Sequence, residues 1–368
     1  IISSLAKVPQ FLVIARNSTF AYKDKSINVQ QIGRELNTKY VIEGSIQKSD
    51  KRFRITVQLI ETDSGYHIWS ESYDRTFQDI FKLQDEITLK ILKELGIKLK
   101  SPWSKENEFE GFADSKNFIM YMKLSEYGIN HTREKYAWAV KNAEKLITSN
   151  PEHAIRYNML AMIYLNGILI GSCESPKICL TRAVKAINKS LSIDPNYYWS
   201  HRQLGKVLMI KKEYDQAILK YQKAMELNPN YAHTYIITGI TLNLSGKPKE
   251  ALEYLNKGLR LDPAAPAYYW NIFGQSYLLL EEYDKAIQMF KKCLKREPNY
   301  WKSYGGLAVS YTLSGQDDRA KTSIRQLLNL FPGFSIEFYK KTSLYKNPDQ
   351  LDRFVQAYRK AGLPETSQ

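Results

Sequence analysis

Three cysteines, five histidines and a few short polar motifs are what this sequence offers chemistry. Cys173, Cys179 and Cys293 form no C-x-x-C pair, and their odd number argues against a disulfide framework and a zinc cluster. A reducing compartment is then the simpler expectation. Five residues separate Cys173 from Cys179, which suits neither motif, so a redox-sensing loop weighs less than inert thiols. His67, His131, His153, His201 and His233 are scattered, as solvated or surface-lining imidazoles are. Ser245-Gly246-Lys247 lacks the glycine spacing of a phosphate loop, and no H-E-x-x-H or G-x-S-x-G occurs. Arg16, Asn17 and Lys23 could hold an anion, and Glu43 with Trp69-Ser70-Glu71 a sugar or carboxylate. A solvated loop and a core-facing aromatic explain them as well. No catalytic residue, cofactor or metal is expected.

Something larger must therefore carry the function. The chain has 368 residues, 53 Lys plus Arg against 38 Asp plus Glu, a net charge of +15 and 43% hydrophobic residues. That describes a basic globular chain of two or three domains, with no apolar run near the ~20 residues of a membrane helix. The charge is dispersed: no run of five basic residues exists, and Lys211-Lys212 and Lys291-Lys292 read as solvated helix faces. Nucleic-acid binding, which concentrates such charge in a patch or arm, is disfavoured. Ile1, Ile2, Leu5 and Val8 resemble the end of an uncapped helix, so the chain is expected to begin inside a domain, without a signal peptide.

Prolines at 195, 229, 263, 298 and 332 are spaced by 34, 34, 35 and 34 residues. Reading back from Pro298 gives Trp270, Phe273, Gly274, Tyr277, Ala286, Phe290 and Cys293, the W-x2-L-G-x2-Y, A-x3-F, P pattern of tetratricopeptide helix pairs. Leu204, Gly205, Leu208, Ala217 and Tyr221 repeat it, as do Tyr235, Gly239, Leu242, Ala251 and Leu255, then Tyr304, Leu307, Ala308, Tyr311 and Ala320. Small residues such as Gly274 and Ala286 belong where helices cross most closely, while Tyr277 and Phe290 fill the space between hairpins. Two looser units precede these, from Ile119 to Pro151 and from Tyr157 to Pro195, the second with a surplus around Gly167 to Lys177 that predicts a longer loop containing Cys173. Asn347-Pro348-Asp349 starts a helix with Leu351, Phe354, Val355 and Tyr358 on one face, a sealing cap that makes the carboxyl end look complete.

Residues 1–100 read differently. Phe11 to Ala15 is a short apolar run, Val29 to Leu36 has helical spacing, and Lys39 to Ile46 reads as a strand. Phe53, Ile55, Val57 and Leu59 alternate with polar residues, so a three-stranded meander ending near Tyr73 is expected, then a helix from Asp79 to Leu95. The predicted fold is an α+β amino-terminal domain lacking its beginning (1–100), a linker (101–116), an all-α solenoid of six tetratricopeptide-like repeats (117–332) and capping helices (333–368).

The runs Phe11 to Asn17 (FLVIARN), Phe20 to Lys23 (FAYK), Ile32 to Leu36 (IGREL), Tyr40 to Ser45 (YVIEGS), Arg54 to Ile60 (RITVQLI), Trp69 to Asp74 (WSESYD) and Asp79 to Ile87 (DIFKLQDEI) resemble one bacterial module. It is similar to the TolB-amino-terminal-like domain that precedes tetratricopeptide repeats in many class III adenylate or guanylate cyclases. The likeness covers almost the whole chain, including Lys360 to Glu365 (KAGLPE). It implies a further strand and helix start before Ile1, and an upstream cyclase, winged-helix or kinase domain. None of a cyclase's metal-binding aspartates or its base-recognising lysine can be carried onto this sequence.

The residues that remain for function line the first helix of each repeat, where positions one turn apart point the same way. Asn158, Arg202, Lys206, His233, Asn271, Gln275 and Lys302, among Ile236, Ile240 and Tyr268, form a groove suited to a peptide or protein of acidic character. The expectation is a non-catalytic regulatory and protein-interaction region of a signalling protein, its groove coupled to an upstream output domain in the same polypeptide. The alternatives are the sensory region of a winged-helix transcription regulator and a nucleic-acid-binding solenoid. A cytoplasmic location is expected, or a periplasmic one if a transmembrane helix precedes Ile1; the oligomeric state is left open.

Overall fold

The computed structural model describes residues 1–6, 8, 11–49, 52–76, 80–95, 115–129 and 133–366. The chain divides into two compact units, residues 1–207 with 226–230, and residues 208–225 with 231–368. Most of the expected linker lies outside the described residues.

The first unit opens with helices α1 (Ile2–Leu5), α2 (Arg16–Phe20) and α3 (Val29–Leu36). Asn28 caps α3 by accepting the Gln31 N–H at 2.8 Å, and Asn37 ends it in the left-handed region at φ 48°. The meander follows as β1 (Tyr40–Ser49), β2 (Arg52–Glu61) and β3 (His67–Thr76), antiparallel in the order β1-β2-β3. Alternation puts Val57 and Leu59 of β2 on one face, where they are buried with Tyr73. Helix α4 (Ile80–Glu94) closes that face with Leu83, Ile87 and Ile91, spaced four residues apart.

Residues 11–15 belong to no helix and to no strand of the sheet. The backbone of this segment is held by a side chain instead. Asn230 Oδ1 accepts the Val13 N–H at 3.1 Å, and its Nδ2 donates to the Ala6 carbonyl at 3.1 Å. One buried amide, between helices far along the sequence, thus fastens the backbone at Ala6 and at Val13.

Helical hairpins make up the rest. In the first unit α5 (Ser115–Ile129) packs on α6 (Arg133–Ser149), and α7 (Ala154–Leu169) on α8 (Pro176–Ile193). Ala139, Ala143 and Leu146 face inward on α6, as their spacing predicts. Helices α9 (Tyr198–Ile210) and α10 (Tyr214–Leu227) come next, followed by α11 (Ala232–Leu244) and α12 (Pro248–Leu261), α13 (Ala267–Leu279) and α14 (Tyr283–Arg296), and α15 (Trp301–Leu313) and α16 (Asp317–Leu330). Helices α17 (Ile336–Thr342) and α18 (Pro348–Lys360) end the chain, with α18 packed on α15. Asn347 caps α18 through the Asp349 N–H at 2.9 Å, and Phe354, Val355 and Tyr358 are buried.

The described turns within the hairpins share one solution. Gly171, Lys212, Gly246, Glu281 and Gly315 have positive φ, and the next residue's N–H bonds back five residues, as Lys247 does to Leu242 at 2.8 Å. The periodic prolines sit in the turns between successive hairpins. Pro195 lies between Ile193 and Tyr198, in the turn, and does not open α9. Asp194, extended at φ −133°, has already left the helix, as a residue before proline must. The surplus between α7 and α8 is shorter than expected, because α7 runs on to Leu169 and α8 starts at Pro176.

Inside the second unit the small residues sit where side chains of the facing helix need room. A Cβ on Gly239 would come 2.6 Å from Leu255 Cδ2, and one on Gly258 2.7 Å from Ile236 Cδ1. Aromatic packing closes the carboxyl end, where Phe331, Phe334, Phe338, Tyr339 and Tyr358 meet edge to face at 4.9 to 5.9 Å.

Candidate functional site

The seven side chains expected to line a groove fall into different environments. In the first unit, Asn158 on α7 is wholly buried: its Nδ2 donates to Ser200 Oγ at 2.7 Å and to Ser190 Oγ. That amide serves the packing of successive hairpins. Arg202 on α9 is 5% exposed, its guanidinium 5.9 Å over the Trp199 ring, and the Lys206 ammonium donates to Asn166 Oδ1 at 2.8 Å. Arg202 is thus withdrawn into packing beside Trp199 and does not line a groove as expected, while Lys206 is half-buried with its ammonium engaged by Asn166.

In the second unit, Asn271 on α13 is 2% exposed and accepts the Ser303 hydroxyl at 3.0 Å, a second amide spent between hairpins. Ile236 on α11 is fully buried among Tyr269, Ile272 and Leu255. His233, Tyr268, Gln275 and Ile240 are half-buried, and Lys302 is exposed, 5.5 Å over Trp301. His233 Nδ1 lies 3.0 Å from Tyr268 Oη, so neighbouring first helices α11 and α13 join through a polar pair. The second unit thus brings His233 and Tyr268 together, keeps Gln275 and Lys302 at the surface, and withdraws Asn271 and Ile236 into packing.

Sequence reasoning passed over Gln203. It is 1% exposed, and neither its Oε1 nor its Nε2 has a hydrogen-bond partner. Its spacing from Trp199 and Lys206, one turn each way, was the available signal. Lys291 and Lys292 also do more than face solvent. Lys292 sits 3.4 Å over the Trp270 ring, where burial and then Arg296 lower its pKa. Lys291 overhangs Tyr311 at a cavity of about 430 Å³ that Arg319, Asp318 and Thr322 also line.

The cysteines overturn the expectation drawn from their count. Cys173 and Cys179 form a disulfide with Cα atoms 6.3 Å apart, and Cys293 is free and buried. An odd count excludes no local pair: the turn between α7 and α8 folds Cys173 back onto the first turn of α8. Tyr136 Oη lies 3.4 and 3.3 Å from the two sulfurs. The cysteine-count argument for a reducing compartment falls with it. Burial raises the pKa of the Cys293 thiol, which makes it a packing residue, not a nucleophile. Among the described residues no cluster of three or more His, Cys, Asp or Glu could hold a metal, and no helix is long and apolar enough to cross a membrane.

Stacked hairpins with these small residues, rings and turns define a tetratricopeptide-repeat solenoid, a protein-interaction scaffold, preceded by a small three-stranded α+β region. Residues 199–231 and 277–340 match family models described as tetratricopeptide repeat.

The chain is 30% identical over 217 residues to the Rhizobium meliloti (strain 1021) protein named "Putative adenylate cyclase 3", a match covering 59% of this chain and 37% of that protein. It is 24% identical over 128 residues to anaphase-promoting complex subunit 3 of Schizosaccharomyces pombe (strain 972 / ATCC 24843), covering 33% of this chain and 19% of that one. The chain thus spans well under two thirds of either relative. Among solved structures, a chain of the APC/C hetero-tetramer Cut9-Hcn1 shares the fold, with a TM-score of 0.50 and 19% identity over 77% of this chain and 49% of that chain. PilF of Pseudomonas aeruginosa has a TM-score of 0.43 and 20% identity, over 62% of this chain and 98% of that one.

Proposed function

We propose that this chain is the non-catalytic regulatory and partner-binding region of a bacterial signalling protein, and that the full-length protein carries a class III cyclase domain upstream. In this reading residues 1–100 are a TolB-amino-terminal-like module joined by 101–116 to repeats over 117–332 and a cap over 333–368. The likeness to the Rhizobium protein supports the cyclase assignment, because 217 residues of this chain align with part of a protein of that name. The ligand is a peptide or protein segment with acidic groups; the candidate contacts are Lys206 on the first unit and, taken separately, His233, Gln275 and Lys302 on the second.

One observation carries the regulatory half of this reading: the Asn230 amide holds both Ala6 and Val13. A loop between repeat helices is thereby tied to the start of the α+β region within one compact unit. Ligand that shifts the repeats pulls on that tie, and the output domain responds.

The test is an array of acidic peptides, with internal or carboxyl-terminal carboxylates, probed with the 368-residue chain and with Lys206→Glu and Lys302→Glu. Binding that weakens about tenfold or more in the variants, and with added salt, supports the reading. Unchanged binding in both variants, at any salt, refutes the groove.

A further inference from the structure

The outer edge of β1 is the surface on this molecule most plainly made for a partner. Among the described residues no strand pairs with it: the sheet runs β1-β2-β3, and β1 is the outermost strand. Every residue from Ile42 to Lys48 is exposed. Two of them are large and apolar, Ile42 at 36% and Ile46 at 67% exposure. The register places Ile42 opposite Leu59 and Ile46 opposite Ile55, so both stand on the face that carries the core. Helix α4 covers that face at β3, with Leu83, Ile87 and Ile91 against Val57, Leu59 and Tyr73. The apolar face therefore continues past its cover onto an open edge, an arrangement that invites strand addition.

The order of residues along β1 selects the occupant. We infer that it is β1 of a second copy of this chain, paired antiparallel about a two-fold axis through Gly44. In an antiparallel pair, opposed residues share a face, so the residue numbers of each pair must have an even sum. Centring on Gly44 sets Ile42 against Ile46 of the second copy, twice by symmetry. The same register sets Lys48 against Tyr40, an ammonium over a ring, and Glu43 against Ser45. No charge meets its like. Centring one residue earlier opposes Glu43 to itself, and one residue later sets Ile42 against Lys48. Of the even-sum registers, only the one centred on Gly44 gives both Ile42 and Ile46 an apolar partner while setting no charge opposite its like, which is the self-complementarity an isologous interface requires. The product is a continuous six-stranded sheet with the strand order β3-β2-β1-β1-β2-β3.

This surface is separate from the peptide-binding one, and the inference stands whether or not that reading holds. Sedimentation of the 368-residue chain across a concentration series should give a species of twice the chain mass; a monomer up to the solubility limit overturns the proposal. Ile46→Lys, at an exposed site, should weaken the dimer about tenfold or more, from the loss of two cross-strand pairs. A dimer of unchanged strength overturns it.

Register is read independently by cross-linking. Ile42→Cys chains mixed with Ile46→Cys chains should form cross-linked dimers with a thiol reagent short enough for opposed Cβ atoms about 5 Å apart. Ile42→Cys chains alone should not, because their cysteines lie four residues, roughly 13 Å, apart along the paired strands. If Ile46→Lys fails to fold, as circular dichroism would reveal, the cross-linking decides alone: equal yields from the mixture and from Ile42→Cys overturn the register.

Discussion

A Cβ added to Gly306 would lie 2.4 Å from Cζ of Phe290, so the ring of one hairpin occupies space that the next hairpin leaves empty. Gly274, in the same hairpin as Phe290, leaves the opposite side open, where a Cβ would come 2.6 Å from Cε1. The ring is fully buried between two glycines.

Gly306→Ala should therefore lose about 1–2 kcal/mol, because overpacking at roughly 1–3 kcal/mol outweighs a helix-propensity gain of up to about 1. Chemical denaturation measures it. Adding Phe290→Leu to Gly306→Ala should recover part of the loss, which a backbone effect at Gly306 would not allow.

Lys212 occupies a left-handed turn position at φ 64°, where Gly246 and Gly315 stand in equivalent turns. Lys212→Gly should stabilise the chain by about 1 kcal/mol, and Gly246→Ala, with open space around its Cβ, should destabilise it by a similar amount. Equal melting temperatures for wild type and both variants would contradict the assignment of strain to these turns.

The Cys173–Cys179 disulfide closes a short loop, for which the chain-entropy relation gives about 2 kcal/mol. Alkylation mass spectrometry without reductant should find one free thiol, Cys293, accessible only after unfolding. Cys173→Ser should match the reduced chain in stability, since both lack the same closure.

Asn230→Ala removes two hydrogen bonds at once and leaves the Val13 N–H and the Ala6 carbonyl to find water. Amide exchange at Val13 should accelerate tenfold or more, at about 1.4 kcal/mol per factor of ten, while exchange in α13 to α16 should not change. Retained protection at Val13 would remove the tie on which the proposed coupling rests.

Arg353 on α18 bonds Glu281, in the turn before α14, and donates from Nη2 to Tyr283 Oη at 2.5 Å. The hydrogen bond from Arg353, and then its charge, hold the Glu281 carboxyl below the usual range. A lowered carboxyl stabilises the fold above its unfolded value of about 4.3 and loses that contribution as pH falls below it. Glu281→Gln should thus flatten the acid side of the stability profile, modestly because the pair is exposed. An acid limb of unchanged slope would show that the pair contributes nothing.

Much of this fold was legible because it is periodic. The recurring Gly, Ala, Tyr and Pro positions are set by how close two helices come, and that geometry repeats with the hairpin. The alternation of Phe53 to Leu59 was equally plain, because one sheet face is buried and the other is not. Where a side chain has two uses, periodicity could not choose. Asn158 and Asn271 occupy inner-helix positions that suit a groove, but each meets a serine from a following element, a partner the spacing did not reveal. The disulfide was missed because counting cysteines says nothing about a turn that folds back on itself. Phe11 to Ala15 reads as a strand by composition, but a strand needs a neighbour, and here the neighbour is the side chain of Asn230.

The polar pairs buried between hairpins of the second unit, Asn243 with Ser276 at 2.8 Å and Asn271 with Ser303 at 3.0 Å, have a mechanical consequence. Apolar contacts tolerate sliding, whereas a buried amide that slips from its hydroxyl loses a partner it cannot replace. These pairs act as detents that let one hairpin settle on the next in a single notch. A ligand for this stretch then meets a rigid template and loses little entropy in shaping it, so selection should fall on ligands whose own contour already fits.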